Sequence, residues 1–188
     1  MLCGMLRGEI IALRWHSVDL DRGQLAVVAS TEQLAGKNRC RDKETKGRRH
    51  RTIALSSQVV AELRAYKTRQ AEELLRIGVR ATRDQHVITK EDGSPLQPRS
   101  LTQEWNRLLG VHTLRRIKLH NTRHSHASHM LASNIHPKIV QERLGHSTIA
   151  TTMDIYSHLM PNMQQDAVER VDAALQEALQ KRASKNVG

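Results

Sequence analysis

The chain has no phenylalanine, and only two tyrosines and two tryptophans among 188 residues. Leu, Val, Ile, Ala and Met must therefore build its core. Cysteine occurs only as Cys3 and Cys40, which excludes a disulfide framework and suits a reducing cytoplasm. No apolar run approaches the length needed to span a bilayer. The opening Met1-Leu2-Cys3-Gly4 lacks the basic-then-apolar pattern of a secretory signal. There is no internal repeat and no low-complexity tract. Negative charge is also scarce: 19 Asp+Glu stand against 30 Lys+Arg, a formal net charge of +11. Such an excess creates a field that attracts polyanions. Nucleic acid is the expected partner, with an anionic membrane surface the second candidate. The length fits one domain, or one and a small appendage, and is ample for a hydrophobic core.

What is present reads as mainly α-helix with one small antiparallel sheet. Gly8 to Trp15 is expected as a helix, Asp19 to Gly23 as a turn and Leu25 to Ser30 as a strand. Residues 36–49 read as a long, charged connection, and Arg51 to Leu55 as the returning strand, giving a hairpin with a basic tip. Ser56 or Ser57 should cap a long helix. Val59, Val60, Leu63, Ala71, Leu74 and Leu75 form its apolar stripe. His86 to Ile88 is a possible short strand. Ser100 to Leu109 reads as a helix closed by Gly110. Asn121 should cap a helix running to about Ser133. Pro137 and Gly145 stand where a first-turn proline and a C-terminal glycine belong. A last helix is expected from Met163 to Arg182, with Val168, Val171, Leu175 and Leu179 as its stripe.

Three weak signals carry chemistry. His120 and Arg123 are three apart and share a face at a helix start, where free N–H groups and a guanidinium can seat a phosphate. Taken alone, this is as well read as a solvated basic turn. His146 lies in a tight turn between Gly145 and Ser147, and alone it is an ordinary loop histidine. Tyr156 follows, and a lone tyrosine usually belongs to a core; Tyr66, in the long helix, has that reading. Clustered His120, His124, His126 and His129 raise the idea of a metal site. No Glu sits between His120 and His124, and no Cys joins them, so no metal is expected.

In order, these segments resemble the C-terminal signature of the tyrosine recombinases, the phage integrase family. The matching pieces are His120-Asn121-Thr122-Arg123, Leu144-Gly145-His146 and Ala150-Thr151-Thr152-Met153-Asp154-Ile155-Tyr156. Gly8 to Trp15 resembles the start of the family's catalytic domain. The resemblance covers the chain from about Gly4 to the final helix. It implies the mainly α catalytic-domain fold of the DNA breaking-rejoining enzymes, spanning residues 1–182, with 183–188 a disordered tail. It implies site-specific DNA strand exchange with Tyr156 as nucleophile, through a 3′-phosphotyrosine link. Arg123 and His146 would contact non-bridging phosphate oxygens. His120 would act as general acid/base. A hairpin lysine would protonate the leaving 5′-oxygen: Lys46 by its distance from the strand at Arg51, with Lys43 the rival. Lys43, Arg48, Arg49, Arg51 and His124 are the expected DNA-facing cations. No cofactor is implied. The partners implied are double-stranded DNA and, on it, four protomers of a chain that is monomeric off DNA. The setting is a bacterial cytoplasm. The last helix is implied to dock on a neighbouring protomer, or else to pack on its own core.

Two departures stand out. The family's first catalytic arginine falls on Leu6 within Cys3-Gly4-Met5-Leu6-Arg7-Gly8-Glu9. Arg7 is the possible substitute, although a one-residue shift turns a helical side chain by about 100°. The first helices of the catalytic domain and the core-binding domain that precedes it in the family are also expected to be missing. A DNA-binding remnant is therefore an alternative to an active recombinase, and a type IB topoisomerase is a second. A simple helix-turn-helix regulator would leave Tyr156 unexplained.

Overall fold

The structure is a computed structural model that describes residues 3–33, 40–44, 50–159, 168–169, 171–177 and 179. Helix α1 (Arg7–Ala12) opens it. Leu6 precedes α1 in an extended conformation, and its N–H donates to Glu9 Oε2 at 2.8 Å. That bond satisfies one of the donors a helix start leaves free. Gly8 lets α1 lie close against the strand that follows, because a Cβ there would collide with Ser30 and Thr31.

A buried Trp15 begins a short 3₁₀ turn, Trp15–Ser17. Strands β1 (Val18–Asp19), β2 (Gln24–Val27) and β5 (Arg51–Ala54) form an antiparallel sheet in the order β1-β2-β5. Leu25, Val27 and Ile53 point to one face and are fully enclosed, as the period of two requires. Strands β3 (Ala29–Gln33) and β4 (Cys40–Glu44) form a second antiparallel pair. The single strand expected over 25–30 is thus two strands interrupted at Val28. Part of the expected connection over 36–49 is strand β4. Its Arg41-Asp42-Lys43-Glu44 sequence carries no apolar alternation, so nothing in its pattern marks it as a strand.

Helix α2 (Ser57–Arg76) starts at Ser56, whose Oγ accepts from the Val59 N–H. Its inner face carries Val59, Leu63, Tyr66, Gln70 and Leu74, whereas Leu75 is exposed. Gln70 is the polar member of that stripe. It accepts from Trp15 Nε1 at 2.7 Å and donates to the carbonyls of His86 and Val87 and to Thr89 Oγ1. Residues 86–88 are pinned in this way and form only an isolated bridge to Arg14. Helix α3 (Pro98–Val111) runs through Gly110 and is capped at His112, two residues beyond its expected close.

Helices α4 (Asn121–Ala132), α5 (Pro137–Leu144) and α6 (Ala150–Leu159) pack on one another. Ala127, Leu131, Val140 and Leu144 are wholly buried there, with Ile155 and Tyr156 against them. His120, not Asn121, is the residue before α4. Residues 168–169, 171–177 and 179 are helical, and Val168, Val171, Leu175 and Leu179 are exposed. The expected tail, 183–188, lies outside the described residues. Among the described residues, no helix is long and apolar enough to cross a membrane. The architecture is mainly α with a small antiparallel sheet, as the sequence led us to expect.

Candidate active site

Arg51 joins the three parts of the molecule. Its Nη1 and Nη2 each lie 2.7 Å from a carboxylate oxygen of Glu9, and its Nε donates to the Arg143 carbonyl at 2.8 Å. The pair is nearly buried, at 11% and 5% side-chain exposure. Strand β5 is thereby tied to α1 and to the end of α5. Gly145, left-handed at φ 72°, makes room for this: a Cβ there would stand 2.9 Å from Arg51 Nη1. Arg51, expected among the DNA-facing cations, directs its Nε, Nη1 and Nη2 donors to Glu9 and the Arg143 carbonyl.

Arg123 faces inward from the first turn of α4, one and two turns before buried Ala127 and Leu131. It is 5% exposed and donates to the Gly4 carbonyl at 2.7 Å. Gly4 can approach so closely because it has no Cβ, which would strike His126 and Leu144. Burial lowers the Arg123 pKa to about 10; the Glu9 carboxylate opposes that shift and Arg51 adds to it. The guanidinium remains charged at neutral pH.

The histidines gather around it. The His120 and His124 rings meet edge to face, with centroids 4.9 Å apart. Burial, then the charges of His124 and Arg123, hold the His120 pKa below its usual value. His146 follows the α5 cap, and its Nδ1 lies 2.9 Å from Oγ1 of Thr152 on α6. Burial, followed by the fields of Arg123, His124, Arg51 and His120, pushes His146 down to about 4. It is a neutral hydrogen-bonding group at pH 7. His126 accepts from Arg143 Nε at 3.2 Å and belongs to the α4–α5 contact. Among the described residues, no group of three or more His, Cys, Asp or Glu is arranged to hold a metal ion.

Arg123, His120, His124 and His146 are therefore drawn into one electropositive corner at the junction of α4, α5 and α6. Tyr156 sits on α6 one turn after Thr152, and its ring packs against the Ala127–Leu131–Val140–Leu144 cluster. Its hydroxyl makes no hydrogen bond with the other described residues. Leu6 and His120 line the same cleft, a cavity of about 910 Å³ between α1, the sheet, α2 and α3. Arg7 is turned to α3, where its Nη1 donates to Thr102 Oγ1 at 3.0 Å. Lys43 lies in β4 opposite Ser30. Lys46, Arg48 and Arg49 lie outside the described residues.

The sequence profile of the phage integrase family matches residues 1–163. The chain belongs to the phage integrase family. Its similar proteins include a tyrosine recombinase XerC-like protein of Caldanaerobacter subterraneus subsp. tengcongensis, 27% identical over 90% of this chain and 46% of that one. The ICEBs1 integrase of Bacillus subtilis is 28% identical, over 93% and 47%. Tyrosine recombinase XerC of Xanthomonas axonopodis pv. citri is 31% identical, over 83% and 43%. The chain thus spans about half the length of these relatives. Among solved structures, the Tn1549 transposon integrase in complex with transposon right end DNA aligns with a TM-score of 0.76 at 18% identity, covering 90% of this chain and 56% of that one. The XerA recombinase aligns at 0.61 and 19% identity, covering 89% and 53%. The fold of this integrase-family chain is that of a tyrosine recombinase catalytic domain.

Three participants had no assigned role on sequence grounds: Glu9, the Gly4 carbonyl and Thr152. Only Thr152 left a trace, because it lies four residues before Tyr156 and so on the same face of a helix.

Proposed function

We propose that this chain is the catalytic part of a site-specific DNA recombinase that cuts and rejoins strands through a 3′-phosphotyrosine intermediate. The observation that carries the reading is the convergence of Arg123, His120, His124 and His146 beside the helix that holds Tyr156. The Tyr156 oxygen attacks the scissile phosphorus, and the bond to the 5′-oxygen breaks. Lys46 supplies the proton to that leaving oxygen, with Lys43 the other hairpin candidate. His120 takes the tyrosine proton. Arg123 and His146 stabilise the charge on the non-bridging oxygens. The phosphotyrosine conserves the energy of the broken bond, so rejoining needs no ATP. Lys43, Arg48, Arg49 and His124 track the DNA backbone. The chain acts in a bacterial cytoplasm as a monomer off DNA and as one of four protomers on two DNA sites.

A second reading is a non-catalytic DNA-binding remnant. It is favoured by Leu6, which occupies the first arginine's position on the His120 cleft, and by the diversion of Arg7 to Thr102. Loss of one such contact costs about 3 kcal/mol, roughly a hundredfold in rate.

The test is a pool of singly nicked duplexes of randomised sequence. A detergent-resistant protein–DNA adduct that disappears in Tyr156→Phe supports the recombinase. Salt-sensitive binding with no adduct, in both the native chain and Leu6→Arg, supports the remnant.

A further inference from the structure

Thr152 is a polar side chain with no exposed surface at all, on a helix whose neighbours Thr151 and Met153 face solvent. Its hydroxyl carries one proton and two lone pairs. Among the described residues its partner is His146 Nδ1, at 2.9 Å. Two arrangements fit that distance. In the first, the Nδ1–H donates to Oγ1, and the threonine proton is left buried with no acceptor. In the second, the Oγ–H donates to an unprotonated Nδ1, and every buried group is satisfied. An unsatisfied buried donor costs about 1–3 kcal/mol, so the second arrangement is favoured.

We propose that Thr152 is a positioning residue for His146: its buried hydroxyl donates to Nδ1 and holds the ring as the tautomer with its proton on Nε2. The inference rests on the recombinase reading for its purpose, though not for its geometry. An Nε2–H on a neutral ring donates to a phosphate oxygen, whereas the other tautomer would turn a lone pair towards it. Neutrality follows from the surroundings. Arg123, His124, Arg51 and His120 all act on His146, and with its partial burial they oppose a second proton. One hydrogen bond therefore sets the polarity of the ring. It also fixes where the ring stands relative to α6, because Thr152 and Tyr156 lie one turn apart on that helix. The loop after α5 and the nucleophile helix are held in mutual register by a single side chain.

The tautomer is read directly from ring ¹⁵N chemical shifts of the full chain at pH 7, with His146→Gln assigning the resonance. The expected result is a protonated Nε2 and a bare Nδ1. In Thr152→Val, which keeps the shape and removes the donor, the signal should become a mixture of tautomers. Thr152→Ser should restore the single form. A native Nδ1–H, or an unchanged Nε2–H in Thr152→Val, overturns the proposal. With the pool of nicked duplexes, Thr152→Val should slow adduct formation about tenfold to a hundredfold, by analogy with the loss of the orienting partner of a metal-ligating histidine. Thr152→Ser should recover it. An adduct rate untouched by a scrambled tautomer also overturns the proposal. If no variant forms a Tyr156-dependent adduct while the shifts behave as expected, the recombinase reading fails and the tautomer assignment stands.

Discussion

Glu9 and Arg51, 42 positions apart in the chain, meet as a two-point ion pair with both N–O distances at 2.7 Å. The pair lies beneath Gly145, and its field reaches Arg123. It is the joint between the sheet and the helical layer that carries the candidate catalytic groups. Removing one partner from a buried pair leaves the other charge uncompensated, at a cost of about 3–5 kcal/mol. Arg51→Met should therefore lower the urea midpoint sharply, against a total stability of about 5–15 kcal/mol. A change below 1 kcal/mol in equilibrium denaturation would show that the pair contributes little.

Leu6→Arg is expected to raise the yield of covalent adduct. Its side chain starts from the cleft that His120 lines, so a guanidinium there enters the same space. The gain should approach a hundredfold, the value of one restored phosphate contact. Arg7→Met should leave the adduct unchanged, because Arg7 is engaged with Thr102. Gel quantification of adduct with time checks both. Equal yields from the native chain and Leu6→Arg would exclude Leu6 as the defect.

His146 makes stability depend on pH in one direction. Its pKa falls from an ordinary 6.5 to about 4 on folding. Between those values the unfolded chain binds a proton that the folded site refuses. Stability from this group is complete above pH 6.5, falls as the pH drops towards 4, and then levels. His126 and His120 are shifted the same way. Denaturation midpoints followed from pH 7 to pH 4 should therefore fall less steeply in His146→Gln than in the native chain. Parallel curves would count against a depressed His146.

Gln70 offers a test of the fold away from the site. Gln70→Leu keeps the bulk of the side chain but strands Trp15 Nε1 and loosens residues 86–89, which lean on its amide. We expect a loss of about 2 kcal/mol or more, read as a lower melting temperature. A neutral outcome would mean that water replaces the amide.

Helices α2 and α5 were legible because punctuation marked them. Ser56, Pro137 and Gly145 do the capping work their types suggest. The α3 end was misread because Gly110 sits inside the helix, on its exposed side, and terminates nothing. Strand β4 was missed because its partner, not its own pattern, makes it a strand. Arg123, His120 and His146 could be picked out from their order along the chain. Arg51 could not be told from a DNA-binding arginine, because its fate depends on Glu9 and on a carbonyl 92 residues away. Long-range pairing of that kind has no local signature. Thr152 was hidden for a similar reason: its burial is a property of the assembled helical layer.

The bond from Arg123 to the Gly4 carbonyl closes a loop of 119 residues. Contacts between such distant points form late, because the chain must first give up the freedom of everything between them. During synthesis the first turns emerge long before α4 exists to receive them. A partly made chain therefore carries its basic charge before the Arg123 guanidinium has a carbonyl to rest on.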